Sequence, residues 1–243
     1  MSSRPERMYH YQPLGSPEMM SRIERTLSRH EIYFSSPASF NDPFDCKVLL
    51  SGKGTEDQKI DFITETYGIK RDLAVKGLAA NPGIFETALA RVQANFLGVY
   101  CLSELSDDIL MWSHYASAHR GICLVFAREV FSDRVVKPIT YPSNNEYPKA
   151  NLFTSSKDEW RDAILLTKAK HWAYEREWRV IISRGPGYYA IEPNWLIGII
   201  FGCSMAAPQI AEIKRMASIR TPSPQLWQAK KKDREFAVSI EPL

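Results

Sequence analysis

Between Glu175 and Ile240 four stretches alternate or run apolar, Glu175–Ser183, Gly187–Glu192, Leu196–Cys203 and Glu235–Ile240, and only one helical stretch, near Pro208–Ser218, lies among them. Parallel strands need a crossover of roughly a dozen residues or more between each pair. Most of these connections are too short to supply one. The pattern therefore predicts an α+β fold with a mixed, largely antiparallel sheet flanked by helices, and not a doubly wound one.

The first half repeats a strand, helix, strand unit. Arg7 to Tyr11 reads as a short aromatic strand. Ser16-Pro17-Glu18 then supplies an N-cap, a first-turn proline and an acid for a helix to about Ser28, with Met20, Ile23 and Leu27 as its buried stripe. Glu31 to Ser35 resumes a strand. Gly98 to Ser103 is a strand, Ser106 or Asp107 caps a helix to about Ala118, and Gly121 to Phe126 is a buried strand. Val135 to Tyr141 is a further strand, and Ser155 with Asp158 resembles a capping box for a helix ending near Ala169 to Trp172. Residues 55–97 read as a helical insert, broken at Asn81-Pro82-Gly83, within a single domain spanning 1–243.

Charge and cysteine usage narrow the function classes. With 31 basic and 28 acidic residues the formal charge is only +3, which lacks the basic excess of a dedicated nucleic-acid module. Cys46, Cys101, Cys123 and Cys203 have neither C-x-x-C spacing nor a disulfide-framework pattern, and read as reduced thiols. No window approaches the roughly 18 apolar residues of a membrane span, and the start is polar. The expectation is a soluble, cytoplasmic protein with no membrane partner.

Three stretches put polar groups inside dense aromatic clusters: Ile32-Tyr-Phe-Ser-Ser-Pro37 running into Phe40-Asn-Asp-Pro-Phe-Asp45, Leu110-Met-Trp-Ser-His-Tyr-Ala116, and Trp172-Ala-Tyr-Glu-Arg-Glu-Trp-Arg179. A bare core does not need so many polar groups there, so the clusters point to a site. As a strand with period two, Glu175, Glu177 and Arg179 share one face, the carboxylates about 6–7 Å apart. They either grip a ligand together or form an ordinary ion pair. On the helix, Asp108, Met111, Trp112, Tyr115 and His119 fall on one side, and Tyr115 combines a stacking ring with a hydroxyl donor. Asn41 and Asp42 also read as turn-closing residues, with Phe40 and Phe44 stapling the turn to the core. Lys230 to Arg234 reads as a solvated turn.

Taken in order, Met8-Tyr-His-Tyr11, the YFSSP and FNDPFD stretches, the LMWSHYA stretch with His119-Arg-Gly-Ile-Cys123, and the YEREWR stretch resemble, over almost the whole chain, a widespread bacterial domain family of unknown function. More loosely, the order of elements resembles the ADP-ribosyltransferase-like fold. That second resemblance implies NAD as the substrate, with His10 holding its nicotinamide-ribose end, Tyr115 stacking, Glu177 as the catalytic carboxylate and Glu175 or Arg179 assisting. Tyr11, Ser35, Asn41, Asp42, Trp112 and His114, all within the aromatic motifs, are the further candidates for binding NAD. The transferred group would go to a protein or nucleic-acid target, and the company such transferases keep implies bacterial conflict or phage defence. The first motif lacks a Gly-Thr partner, and the FNDPFD loop has no counterpart in that fold.

Two other classes remain open on the residues alone. Asp42, Asp45, Glu175 and Glu177 with His114 could hold Mg²⁺ or Mn²⁺ in a metal-dependent phosphodiesterase or nuclease. Alternatively the aromatic clusters form a non-catalytic module for a nucleotide or a protein, the carboxylates pairing with Arg120, Arg176 and Arg179.

Overall fold

Ser16 fixes where the first helix begins. Its side chain accepts a hydrogen bond from the Met19 amide, Pro17 occupies the first turn, and Glu18 meets the positive end of the helix dipole. The helix closes at His30, whose φ of 56° is the left-handed conformation that turns its amide back onto the Arg25 carbonyl.

The computed structural model of the protein describes residues 6–81, 97–127, 135–151 and 153–243. Along them the chain forms β1 (Arg7–Gln12), α1 (Pro17–Arg29), β2 (Glu31–Phe34), β3 (Leu49–Ser51), α2 (Glu56–Tyr67), α3 (Arg71–Ala80), β4 (Gly98–Ser103) and α4 (Ile109–Tyr115). It continues with β5 (Ile122–Ala127), β6 (Val135–Pro138), β7 (Lys149–Asn151), α5 (Lys157–Leu165), β8 (Glu177–Ile182), β9 (Gly187–Ala190), β10 (Leu196–Phe201), α6 (Ala207–Ser218), β11 (Gln225–Lys231) and β12 (Val238–Pro242). Pro82, Gly83 and the second half of the expected insert lie outside the described residues. The chain divides into two compact units, one made of Met1–Ser35, Leu97–Ile139 and His171–Leu243, the other of Ser36–Phe96 and Thr140–Lys170.

The first unit is built on an eight-stranded sheet in the order β12-β11-β10-β5-β1-β4-β8-β6. Within it β10 and β11 run parallel, with α6 as their crossover, and every other pairing is antiparallel. This is the mixed, largely antiparallel α+β arrangement that the short late connections predict. β2 pairs with β9 in a separate ribbon, and the Ser35 and Val99 backbones exchange two hydrogen bonds of 2.9 Å, which carries the end of β2 to β4.

Alternation divides the large sheet into two apolar faces. Met8, Tyr100, Leu102, Leu124, Phe126, Ile199 and Phe201 pack with Ile23 and Leu27 of α1 and with Ile213, Met216 and Ala217 of α6. On the other face Tyr11, Cys123, Val125 and Ile200 pack with Met111, Trp112 and Ala116. The stripe of α1 includes buried Thr26 in addition to Ile23 and Leu27, while Met20 is only partly buried. The second unit holds the parallel pair β3–β7 and a small cluster of Ile60, Ile63, Ala74 and Leu78 between α2 and α3.

Several boundaries differ from the sequence pattern for local reasons. α4 begins after Asp108, because that carboxylate accepts from the Leu110 and Met111 amides, and it ends at Tyr115. Ser117, Ala118 and His119 then adopt left-handed φ angles of 48°, 52° and 65°, so the helix does not reach Ala118. The box that starts α5 is Ser156 with Glu159, one residue later than Ser155 and Asp158, and the helix stops at Leu165. β8 begins at Glu177, since Arg176 has φ 43° and breaks the strand. β11 was hidden by its polar residues; Lys230 and Lys231 belong to it and not to a turn.

Candidate functional site

The two carboxylates of the third motif reach the same side of the sheet by different routes. Glu177 stands on β8 opposite Ser103, and Arg179 opposite Cys101, so both share the face of β1 that carries Tyr9 and Tyr11. Glu175 instead ends a short helical turn, Lys170–Glu175, and is placed there by the Ser103 hydroxyl, which donates to its carbonyl at 2.6 Å. Tyr115, at the end of α4, donates to Oε1 of Glu175 at 2.6 Å. Arg179 donates through Nε to Oε1 of Glu177 at 2.7 Å and through Nη2 to Oε2 at 3.2 Å. Glu177 is 5% exposed and Arg179 is fully buried, so this is an internal, two-point ion pair.

Aromatic residues complete that face. Trp112 is fully buried, donates its indole N–H to the Ser106 carbonyl at 2.9 Å, and meets the edge of Tyr11, whose hydroxyl donates to the Leu105 carbonyl at 2.9 Å. Burial raises the Tyr11 phenol above its ordinary range. His114, on the exposed side of α4, lies 2.9 Å from the Tyr174 hydroxyl and edges onto Trp172. Trp112 and Tyr11 thus have internal partners for their polar atoms, and their role there is packing.

His10 lies on the opposite face, because it alternates with Tyr9 and Tyr11 along β1. There it lines a cavity of about 160 Å³ together with Arg22 of α1, Tyr33 of β2, Ser35 and Tyr100 of β4. Its Nδ1 sits 2.8 Å from the Cys101 carbonyl, and its ring stacks on Tyr100 at 4.2 Å between centroids. Burial pushes its pKa down to about 4, and the charge of Arg22 adds to the fall against the opposing hydrogen bond to Cys101. The ring is therefore neutral near pH 7.

Two other groups of that wall are buried with no hydrogen-bond partner, the Tyr100 hydroxyl and Nε of Arg22. Arg22 lies 4.0 Å above the Tyr33 ring while its Nη2 donates to Glu18 at 2.7 Å. Buried polar atoms are satisfied in the great majority of cases, and orphans beside a hollow are the sign of a wall built for something else. Tyr11 also borders the cavity, and since its side chain points to the other face it does so through its backbone.

Of the residues singled out from sequence, His10, Tyr11 and Ser35 are thus brought to one cavity, while on the other face Tyr115 bonds Glu175 and Glu177 bonds Arg179. The sheet stands between these groups. The three-residue convergence of His10, Tyr115 and Glu177 on one space is not formed, because odd and even positions of paired strands face opposite ways. Asn41 and Asp42 belong to the other unit, where Asp42 closes a turn by accepting from the Phe44 amide at 2.8 Å. Phe44 is 65% exposed there and does not staple the turn to a core. Asp45, which is buried, accepts from the Cys46 amide and pairs with Lys168 at 3.7 Å. Among the described residues no group of three or more His, Cys, Asp or Glu side chains is placed to hold a metal ion.

Sequence reasoning missed Arg22 and Tyr100. Arg22 reads as an ordinary i,i+4 partner of Glu18, and Tyr100 as one apolar position in a buried strand. The available signal was Tyr100 itself, since a buried tyrosine needs a hydrogen-bond partner and a strand interior supplies none to its side chain.

Comparison with known families gives one match, in the middle of the chain. Residues 111–180 match the model of the family described as protein of unknown function, DUF2971. This match supports the resemblance to a domain family of unknown function and contains Trp112, Tyr115, Glu175, Glu177 and Arg179; the His10 cavity lies outside it. No curated protein and no solved structure matches the chain. Nothing in these comparisons carries the resemblance to the ADP-ribosyltransferase-like fold. No helix among the described residues is long and apolar enough to cross a membrane.

Proposed function

We propose that the first unit binds a nucleotide through the His10 cavity, and that the nucleotide is NAD. The observation that carries this reading is a cavity with a neutral, oriented histidine and two buried polar groups that no other residue satisfies. A further support is that His10 on the first strand is the residue that the ADP-ribosyltransferase-like resemblance assigns to the nicotinamide-ribose end. Binding is put forward ahead of glycosyl transfer, since bond cleavage would need a carboxylate beside the ligand, and Glu177 is tied to Arg179 on the other face.

Thermal unfolding with NAD, ADP-ribose and ATP tests the reading. Ligand at a hundredfold excess over its Kd stabilises by about 2.7 kcal/mol. NAD is expected to raise the melting temperature of the wild type and not of His10→Leu. An absent NAD response, or the same response in both proteins, overturns the proposal.

A further inference from the structure

We propose that Cys203 and His119 form a nucleophile–base pair whose reaction is thiol–disulfide exchange with a small-molecule disulfide, which caps Cys203 reversibly. The thiol packs on the Tyr11 face of the sheet, away from the His10 cavity, and its chemistry does not depend on the nucleotide reading.

The pair joins two distant turns. Cys203 follows β10 and His119 follows α4, and Sγ of Cys203 lies 3.7 Å from Nδ1 of His119, the spacing of a sulfur hydrogen bond. The backbone clamps the turns together: the Ser204 amide donates to the His119 carbonyl and the Gly202 amide to the Gly121 carbonyl, both at 2.9 Å. The approach is close enough to need glycine, since a Cβ at Gly202 would stand 2.2 Å from the His119 carbonyl oxygen. From the other side the His119 amide donates to the Trp112 carbonyl at 3.1 Å, and its ring lies within 16° of parallel to the buried indole. The imidazole is thus held facing the thiol.

The electrostatics suit proton transfer. For Nδ1 to accept from sulfur the ring carries its own proton on Nε2. Burial and the charge of Lys231 lower the pKa of His119, which keeps the ring a neutral base near pH 7. Lys231 stands at the end of β11, which runs parallel to β10 and extends past it, so its charge also favours a thiolate at Cys203. Cys203 is half-buried whereas Cys46 and Cys123 are buried, and Ser204 beside it is exposed, which leaves the sulfur open to a small reagent.

The neighbouring amides choose the reaction. A tetrahedral acyl intermediate needs free N–H donors, and those of Ser204 and Met205 are engaged with the His119 and Gly202 carbonyls. Disulfide exchange needs none, because its charge stays on sulfur. His119 takes the thiol proton, the Cys203 thiolate attacks one sulfur of the disulfide, and a new S–S bond forms as the old one breaks. The departing thiolate recovers the proton from His119. Cys203 is oxidised as the leaving sulfur is reduced, so the disulfide is the whole oxidant.

The test exposes the full chain to hydroxyethyl disulfide between pH 6.5 and 9.5, with acid quenching and peptide-mapped mass spectrometry giving a rate for each cysteine. At pH 7 Cys203 should be capped at least about tenfold faster than Cys46, Cys101 or Cys123, and dithiothreitol should release the cap. A free thiol of pKa about 8.5 loses about thirtyfold in thiolate between pH 9.5 and pH 7, whereas the rate at Cys203 should fall less than about fivefold. His119→Asn keeps a residue that tolerates left-handed backbone, and it should restore the steep fall while its rate at pH 9.5 stays within about threefold of the wild type. A wild-type profile as steep as that of a free thiol, capping of Cys101 ahead of Cys203, or an unchanged pH 7 rate in His119→Asn overturns the proposal. The wild-type profile decides even if the variant fails to fold.

Discussion

Replacing Glu177 by Gln separates a catalytic carboxylate from a structural one. As a residue that only touches ligand, Glu177 would tolerate the change without loss of folding. Its position argues otherwise. Arg179 is fully buried and bonded at 2.7 and 3.2 Å to the two oxygens of Glu177, so the substitution leaves a guanidinium in the interior without that countercharge. Removing one partner of a buried pair costs about 3–5 kcal/mol, and each kcal/mol lowers the melting temperature by about 2–4 °C in a domain of roughly this size. Glu177→Gln should therefore melt about 6–20 °C below the wild type, as followed by circular dichroism, and its urea midpoint should fall in step. The double substitution Glu177→Leu with Arg179→Met removes both charges and should recover much of that loss, since apolar replacements of a buried pair are often close to neutral. A Glu177→Gln protein that melts within about 2 °C of the wild type would refute the structural assignment of the pair.

Acid stability depends on His10. Its pKa is 6.5 in an ordinary setting and about 4 in the fold. As pH falls the unfolded chain takes up this proton first, so the stabilisation present above 6.5 drains between 6.5 and 4, to about 3 kcal/mol in all. Urea unfolding at pH 7 and pH 4.5 should show a smaller fall for His10→Gln than for the wild type, and equal falls would contradict the lowered pKa of the ring. At Ala118, exposed with φ 52°, glycine adopts the same backbone without the Cβ conflict. Ala118→Gly should raise stability by about 0.5–1 kcal/mol; a lower denaturant midpoint would show that the left-handed turn carries no strain.

Much of the fold is legible in the sequence. β1, α1, β2, β4 and β5 follow from alternation, Ser16 and the glycine and proline punctuation, because those signals act within a few residues. β3, β7 and β11 were not legible: two are three residues long, and the third carries polar side chains on a strand near the sheet edge. The candidate site was legible in part. His10, Ser35, Tyr115, Glu175 and Glu177 stood out by residue type, but residue type does not say which of them meet.

The sequence by itself determined the class of fold, the order of most elements, and that aromatic motifs rich in polar groups would be special, since periodicity and capping are local properties. Only the tertiary structure decided what those motifs do. Strand pairing set His10 and Glu177 on opposite faces, gave Glu177 to Arg179, and closed α1, β2 and β4 around a hollow containing Arg22 and Tyr100. The physical reason is that pairing register and sheet order join residues far apart in the chain, and a shift of one position exchanges every side chain between the two faces.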